Sequence, residues 1–225
     1  VASTYRIFSR SFCNFVFPPD IGRPLPHQKD DKKDWTSVDE DVLDNAEAAV
    51  RINNPDGRYS AEDEAALAKQ FSREEQRDYA RRIEAALGEL EANSEEYLSP
   101  EGLRTWSPKF LAILERLKQA KGSQLLYSQF RTMEGLGIIR MVLLANGYTE
   151  FKLRKHEGTW VLREPLSTVK PAFVLYSGEE DEDEKEIIRN AFNGEWSKVP
   201  KSIVAEMQKK AANNNRGEVI QTIMI

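Results

Sequence analysis

From residue 121 onward, short apolar runs alternate with stretches of helical period, and this alternation narrows the fold more than any other feature of the chain. Gln124-Leu125-Leu126-Tyr127 reads as a strand, followed by a helix from about Thr132 to Ala145 that Asn146-Gly147 closes. Phe151 to Arg154 and Thr159 to Leu162 flank His156-Glu157-Gly158, the pattern of a short hairpin. Ala172-Phe173-Val174-Leu175-Tyr176 is another buried-type strand. Ile187, Ile188, Ala191 and Phe192 then line a helix that ends at Asn193-Gly194, Pro200 opens a helix through Met207, and Val219 to Ile225 forms a last strand. Strands separated by helices indicate an α/β domain whose sheet is mainly parallel, because a parallel connection needs a crossover long enough to hold a helix. In such a domain Leu125, Leu126, Val174, Leu175, Ile220, Ile223 and Ile225 are expected to be mostly buried.

Upstream the texture differs. Residues 1–35 carry aromatics and then Pro18-Pro19-Asp20-Ile21-Gly22-Arg23-Pro24-Leu25-Pro26, whose four prolines forbid a regular helix and predict an extended connector. Lys29 to Asp34 is a charged run with no apolar anchor, expected to be loop. Beyond it, Val38, Val42, Ala46, Ala49 and Val50 recur at helical spacing after Ser37, and Ser60-Ala61-Glu62-Asp63 has the form of a helix start. Ser72-Arg73-Glu74-Glu75 opens a helix in which Tyr79, Ile83, Ala86, Leu87 and Leu90 make one stripe. Ser107-Pro108-Lys109-Phe110 starts another with Pro108 at its first position. All these stripes are expected to be ordinary core packing.

Several chemistries lack their signatures. There is no GxxxxGK[ST] loop to cradle a triphosphate, no GxGxxG after a strand and no GxSxG elbow. A single cysteine, Cys13, leaves no internal disulfide within these residues and fits a reducing compartment. His27 and His156 lie far apart with no cysteine cluster between them, so no zinc constellation is expected. No apolar run approaches the roughly 18 residues of a membrane span. The net charge of −5 is unevenly placed. Glu179 to Glu184 is a dense acidic block, read as a solvated helix start favoured by the helix dipole, while Lys152, Arg154 and Lys155 cluster elsewhere. No catalytic residue, cofactor site or metal site is expected in the chain itself.

What remains is a set of strand ends. In an open α/β sheet, ligands sit beyond the carboxyl ends of the strands. Those ends are Ser128-Gln129-Phe130-Arg131 after the first run and Ser177-Gly178 after the third. Small hydroxyl and glycine positions there let backbone amides approach phosphates, although a Ser-Gly pair is equally an ordinary turn marker.

Gln124 to Phe130 with Glu134-Gly135 a short step later resembles helicase motif IV of superfamily 2 proteins of the SNF2-like kind. Tyr176-Ser177-Gly178, the acidic stretch and Ile187 to Asn193 resemble the segment leading towards motif V, and Val219 to Ile225 the strand that delivers it. Arg6 to Pro18, then Ile21 and Arg23-Pro24, resembles the linker between the two RecA-like domains in helicases of large cytoplasmic DNA viruses, such as the poxvirus nucleoside triphosphatases and early-transcription-factor helicases. Leu98-Ser99-Pro100 with Ser107-Pro108-Lys109-Phe110 resembles the approach to motif IV in the same proteins. The resemblance covers about residues 3–26 and 97–225.

It implies an inter-domain linker over 1–35, a helical insertion over 36–105 and, over 106–225, a second RecA-like domain that stops before motif V. The parent protein would be an ATP-dependent helicase or translocase using ATP and Mg, working with its own first RecA-like domain and with viral transcription or virion components, in the virion or the host cytoplasm. The nucleic acid, DNA or RNA, would be held through its backbone by Ser128, Gln129, Arg131, Ser177 and Gly178, with Arg131 the leading phosphate contact. Tyr127 and Phe130 are open between base stacking and core packing, with packing preferred for Phe130. The alternative expectation is a non-catalytic structural or interaction component of a virus particle that retains a helicase-like half.

Overall fold

In the computed structural model, residues 12–24, 73–130, 133–176 and 180–225 are described. The chain divides into two compact units, one comprising Val1–Ala112 with Gln129–Val142, the other Ile113–Ser128 with Leu143–Ile225.

From residue 73 to residue 112 the first unit is almost wholly helical. Helix α1, Arg73–Ala92, buries the stripe Tyr79, Ile83, Ala86, Leu87 and Leu90, as the spacing of those residues predicts. Each such side chain contributes roughly 1.5–3 kcal/mol when fully buried, so the stripe, rather than helix propensity, holds α1 in place. Two short helices follow, α2 at Ser94–Tyr97 and α3 at Pro100–Trp106. Ser99 caps α3 by accepting from the Gly102 N–H at 3.2 Å, with Pro100 in the first turn. Helix α4, Pro108–Gln119, starts the same way, with Ser107 Oγ accepting from the Phe110 N–H at 3.1 Å.

The segment from 12 to 24 packs against the start of α4. Phe15 is fully buried, edge-on to Phe17 at 5.5 Å and stacked on Phe110 at 6.3 Å. The Val16 N–H donates to the Trp106 carbonyl at 2.8 Å, Ser107 Oγ donates to the Asn14 carbonyl, and Lys109 Nζ donates to Asn14 Oδ1.

The expected helix from Thr132 is shorter than the sequence indicates. Helix α5 spans Ile138–Ala145, and the preceding residues Met133–Gly137 form a wide, kinked turn in which Glu134 (φ −78, ψ 18) and Gly135 (φ −121, ψ −125) are not helical. The Leu136 N–H donates to the Phe130 carbonyl at 3.0 Å, which closes this turn instead of a helical one.

The second unit contains a four-stranded parallel sheet. Its strands are β1 (Gln124–Leu126), β2 (Thr149–Glu150), β5 (Ala172–Leu175) and β6 (Ile220–Met224), in the order β1-β6-β5-β2. Between β2 and β5 in sequence stands the expected hairpin, β3 (Leu153–His156) antiparallel to β4 (Thr159–Leu162). Glu157 at φ 50 and Gly158 at φ 77 give it a two-residue turn with both central residues left-handed, which glycine tolerates without cost. Helices α6 (Glu182–Phe192) and α7 (Lys201–Gln208) complete the β5-to-β6 crossover. The acidic block does open α6, with Glu182, Asp183 and Glu184 in its first turn. The architecture is the RecA-like α/β class, a parallel sheet flanked by helices, and the described residues ahead of it, from 73, are helical.

The core of this unit gathers Phe151, Leu153, Val174, Ile187, Ile188, Ile203, Met207, Ile220 and Ile223. Leu126 also faces inward, and Leu175 is half-buried. Two expected core residues are not there. Leu125 is 66% exposed because β1 is the edge strand: it shares the face of its register partner, the buried Ile223, but stands at the margin of the core there. Ile225 is 37% exposed, because it lies one residue beyond the end of β6.

One polar residue that the sequence did not single out organises this unit. Asn214 is 1% exposed and uses its whole side chain: Nδ2 donates to the Phe192 carbonyl (2.7 Å) and the Ile220 carbonyl (3.1 Å), while Oδ1 accepts from the Val219 and Ile220 N–H groups (2.8 Å each). It thereby ties the end of α6 to the start of β6, supplying partners that the backbone at this junction does not find in a ladder.

Candidate nucleic-acid interface

The carboxyl ends of three neighbouring strands are level. The Ser128 N–H donates to the Ile225 carbonyl at 2.9 Å, the Ile225 N–H donates to the Leu126 carbonyl at 2.9 Å, and the Tyr176 N–H donates to the Met224 carbonyl at 2.8 Å. Ser128 and Tyr176 therefore stand on either side of Ile225 along one rim. This is where an open parallel sheet meets its ligands, since the strand ends leave a crevice beyond the last ladder bonds. The Ser128 amide is engaged within the sheet, so any contact from this residue to a ligand runs through its hydroxyl. Tyr127, on the same rim, is 74% exposed, which excludes the core role and leaves a stacking face to solvent.

The other expected contacts are distributed as follows. Gln129 is exposed and belongs to the first unit. Arg131, Ser177 and Gly178 lie outside the described residues. Ser177 directly follows Tyr176 in the chain, and Arg131 directly follows Phe130. Phe130 is half-buried with its carbonyl and Cβ against Gly135, in keeping with packing. The helix whose amides were expected at the rim begins at Ile138, not at Thr132, so free amides of a regular helix start do not adjoin residue 131.

Two residues of the first unit form its most buried ionic contact among those described. Arg23 Nε and Nη2 donate to Glu134 Oε1 and Oε2, the second at 3.1 Å, and the side chains are 6% and 2% exposed. Arg23 Nη1 also donates to the Pro24 carbonyl at 3.0 Å. The planar guanidinium fork matches both carboxylate oxygens, the geometry that makes a buried pair tolerable. The turn around Glu134 is fixed by Gly135 as well: a Cβ there would lie 1.8 Å from the Phe130 carbonyl oxygen.

In the second unit the basic cluster and the acidic block, separate in sequence, meet. Lys155 Nζ donates to Asp181 Oδ2 at 2.8 Å and lies 4.7 Å from the centre of the Trp160 ring. The shifted titrations elsewhere have structural causes. The Lys198 hydrogen bond holds the Glu195 carboxyl below its usual range, burial lowers Lys210, and burial raises Tyr148. Among the described residues no group of three or more His, Cys, Asp or Glu side chains is placed to hold a metal ion, and no helix is long and apolar enough to cross a membrane.

No family model and no solved structure matches the chain. One curated protein is similar: a protein of Acanthamoeba polyphaga mimivirus named "Putative ATP-dependent RNA helicase", 29% identical over 100 residues. That stretch is 44% of this chain and 15% of the mimivirus protein, so the chain spans a small part of its relative. The match supports a helicase-like origin.

Proposed function

We propose that this chain is the inter-domain linker and second RecA-like domain of a superfamily 2 helicase or translocase of the SNF2-like kind found in large cytoplasmic DNA viruses. Its part is to hold the sugar-phosphate backbone of DNA or RNA at the carboxyl rim of the sheet. The contacts are Ser128, Ser177 and Gly178, with Gln129 and Arg131 following Ser128 in the chain. ATP and Mg belong to the intact parent, whose first RecA-like domain supplies the phosphate loop.

The observation that carries this reading is convergence. Arg23 pairs with Glu134 across 111 residues of sequence, and Asn14 meets Ser107 and Lys109 across 93 and 95. These residues belong to the short stretches whose order and spacing resemble the viral helicases. Unrelated stretches that matched by chance have no reason to be hydrogen-bonded to one another. The mimivirus match adds a helicase-like relative from the same kind of virus.

The test is fluorescence anisotropy of the chain on unrelated single-stranded oligonucleotides over a salt series. Backbone binding gives similar affinities for all sequences and a log-linear salt dependence. Arg131→Ala should weaken all of them alike and lower the salt slope by roughly 0.7–0.9. An unchanged slope in that variant, or a strong preference for one sequence, would overturn the rim assignment. A chain that binds no nucleic acid but co-purifies with virion structural proteins would favour a non-catalytic particle component instead.

A further inference from the structure

The register of β3 and β4 sorts the hairpin's side chains by face. Leu153 pairs with Leu162 and Lys155 with Trp160. Leu153 lies in the core, Leu162 and Trp160 pack against it, and α7 contacts β4, so this is the inner face. Arg154 pairs with Val161 and His156 with Thr159, and by the two-residue period of a strand these stand on the outer face. The Arg163 N–H donates to the Lys152 carbonyl at 2.8 Å, which extends the pairing by one step and places Arg163 and Lys152 on the outer face too. Arg154, His156 and Arg163 are exposed, and none of the three has an ion pair among the described residues.

None of the strand residues that the register assigns to this face is a carboxylate, in a chain whose net charge is −5. The hairpin's acidic partner is on the other side, where Asp181 takes Lys155 and ties the hairpin to the start of α6. Like charges on one strand face, here Arg154 and Arg163, are mildly destabilising and return nothing to the fold by themselves. The face is also placed at the rim. Phe151 follows the carboxyl end of β2, its N–H donating to the Phe173 carbonyl at 2.7 Å, so the hairpin leaves the sheet from the same edge that carries Ser128, Ile225 and Tyr176.

We propose that the outer face of the β3–β4 hairpin is a second contact surface for nucleic acid, with Arg154 and Arg163 binding phosphates of a strand that continues from the rim, and His156 adding a donor. The inference rests on the nucleic-acid function proposed above and extends its footprint to the opposite edge of the sheet. Phosphate backbone fits this face better than a protein partner does. A protein interface needs buried apolar or aromatic anchors at its centre, and here only the half-buried Val161 is apolar. Arg154 and Arg163 are diagonal neighbours across the strand pair, roughly 7–8 Å apart, which suits a regularly spaced polyanion and reads no bases.

The test uses the whole chain, a fluorescent poly-dT or poly-U oligonucleotide, and a salt series. Arg154→Gln/Arg163→Gln removes two phosphate contacts, so the slope of log affinity against log salt should fall by about 1.4 for a single strand, at roughly 0.7 per phosphate. Lys118→Gln/Lys121→Gln, two exposed lysines just before β1 at the other end of the sheet order, removes the same charge and should leave the slope within experimental error. Far-UV circular dichroism and the melting temperature of both variants establish that each is folded. If the hairpin variant binds with an unaltered slope while Arg131→Ala lowers it, the hairpin proposal is wrong and the rim stands. If the wild-type chain binds no oligonucleotide at low salt, both fail. Poly-aspartate competing as well as the oligonucleotide would assign the face to an acidic protein segment and overturn the proposal.

Discussion

Glu134→Leu should be among the most damaging single substitutions in the first unit, and Arg23→Met together with it should be far less so. The two side chains are 6% and 2% exposed and joined by two parallel hydrogen bonds, so water does not substitute for either partner once the other is gone. Breaking a buried ion pair from one side leaves an uncompensated charge and costs about 3–5 kcal/mol. Replacing both members with apolar residues of similar volume removes the unpaired charge and is often neutral or even stabilising by about 1–4 kcal/mol. The double variant should therefore recover at least half of the loss, and the coupling between the two positions should reach about 2 kcal/mol or more.

Hydrogen exchange localises the effect as well as sizing it. In either single variant, amides in residues 12–24 and 133–137 should lose protection together, while those of β5 and β6 in the other unit should keep theirs. Urea titrations of the four proteins, followed through Trp106, give the free energies for the cycle. Additive single effects, or losses below about 1 kcal/mol, would mean that the contact is no stronger than a solvated pair at the surface. The account of Arg23 as the residue that fixes the turn would then fail.

Gly135→Ala is a sign test, because in a regular helix this change gains roughly 0.5–1 kcal/mol, whereas a Cβ 1.8 Å from the Phe130 carbonyl oxygen must displace backbone. A lower midpoint in urea is expected, and a higher one would show that the turn is an ordinary helical start. Asn214→Leu leaves the Val219 and Ile220 N–H groups and two carbonyls without their partner, at roughly 1–3 kcal/mol for each group left buried and unsatisfied. The second unit, read through Trp196 fluorescence, should lose at least about 3 kcal/mol, and a loss within the usual range of surface substitutions would contradict the role given to this side chain.

The elements that sequence made legible are those whose identity rests on local pattern. The strands at Gln124, Ala172 and Val219, the Glu157-Gly158 turn and the helix start at Ser107-Pro108 all follow from period and turn chemistry within a few residues. What local pattern cannot carry is position within a sheet. Leu125 reads as core because it stands beside Leu126 in a short apolar run, but edge placement decides its exposure, and strand order is set by long-range packing. The helix start at Thr132 was misjudged for a related reason. Glu134 and Gly135 are compatible with a helix, and only the distant Arg23 and the nearby Phe130 carbonyl show why the chain turns there. Asn214 gave no signal, since an asparagine in Asn213-Asn214-Asn215 looks like loop, and its four partners lie on two other elements and on the strand it precedes.

The candidate site is an expectation that rests on resemblance rather than on period, and the two kinds of information meet at Arg23. No property of Arg23-Pro24 in isolation distinguishes it from a proline-rich connector, and no property of Glu134-Gly135 distinguishes it from a helix turn. The ion pair between them gives both a structural role: it holds Glu134 in place beside Gly135, where the Leu136 N–H reaches the Phe130 carbonyl. A substitution that preserves charge but not the fork makes the point testable within the proposed function. Arg23→Lys keeps a cation, but a single ammonium cannot bond both Glu134 oxygens in the planar arrangement of a guanidinium. If the pair positions the Arg131 turn, Arg23→Lys should lower the salt slope of oligonucleotide binding by the same amount as Arg131→Ala, roughly 0.7–0.9, and combining the two should lower it no further. A slope that drops again in the double variant would mean that Arg23 and Arg131 act independently, and the link from the connector to the rim would have to be abandoned.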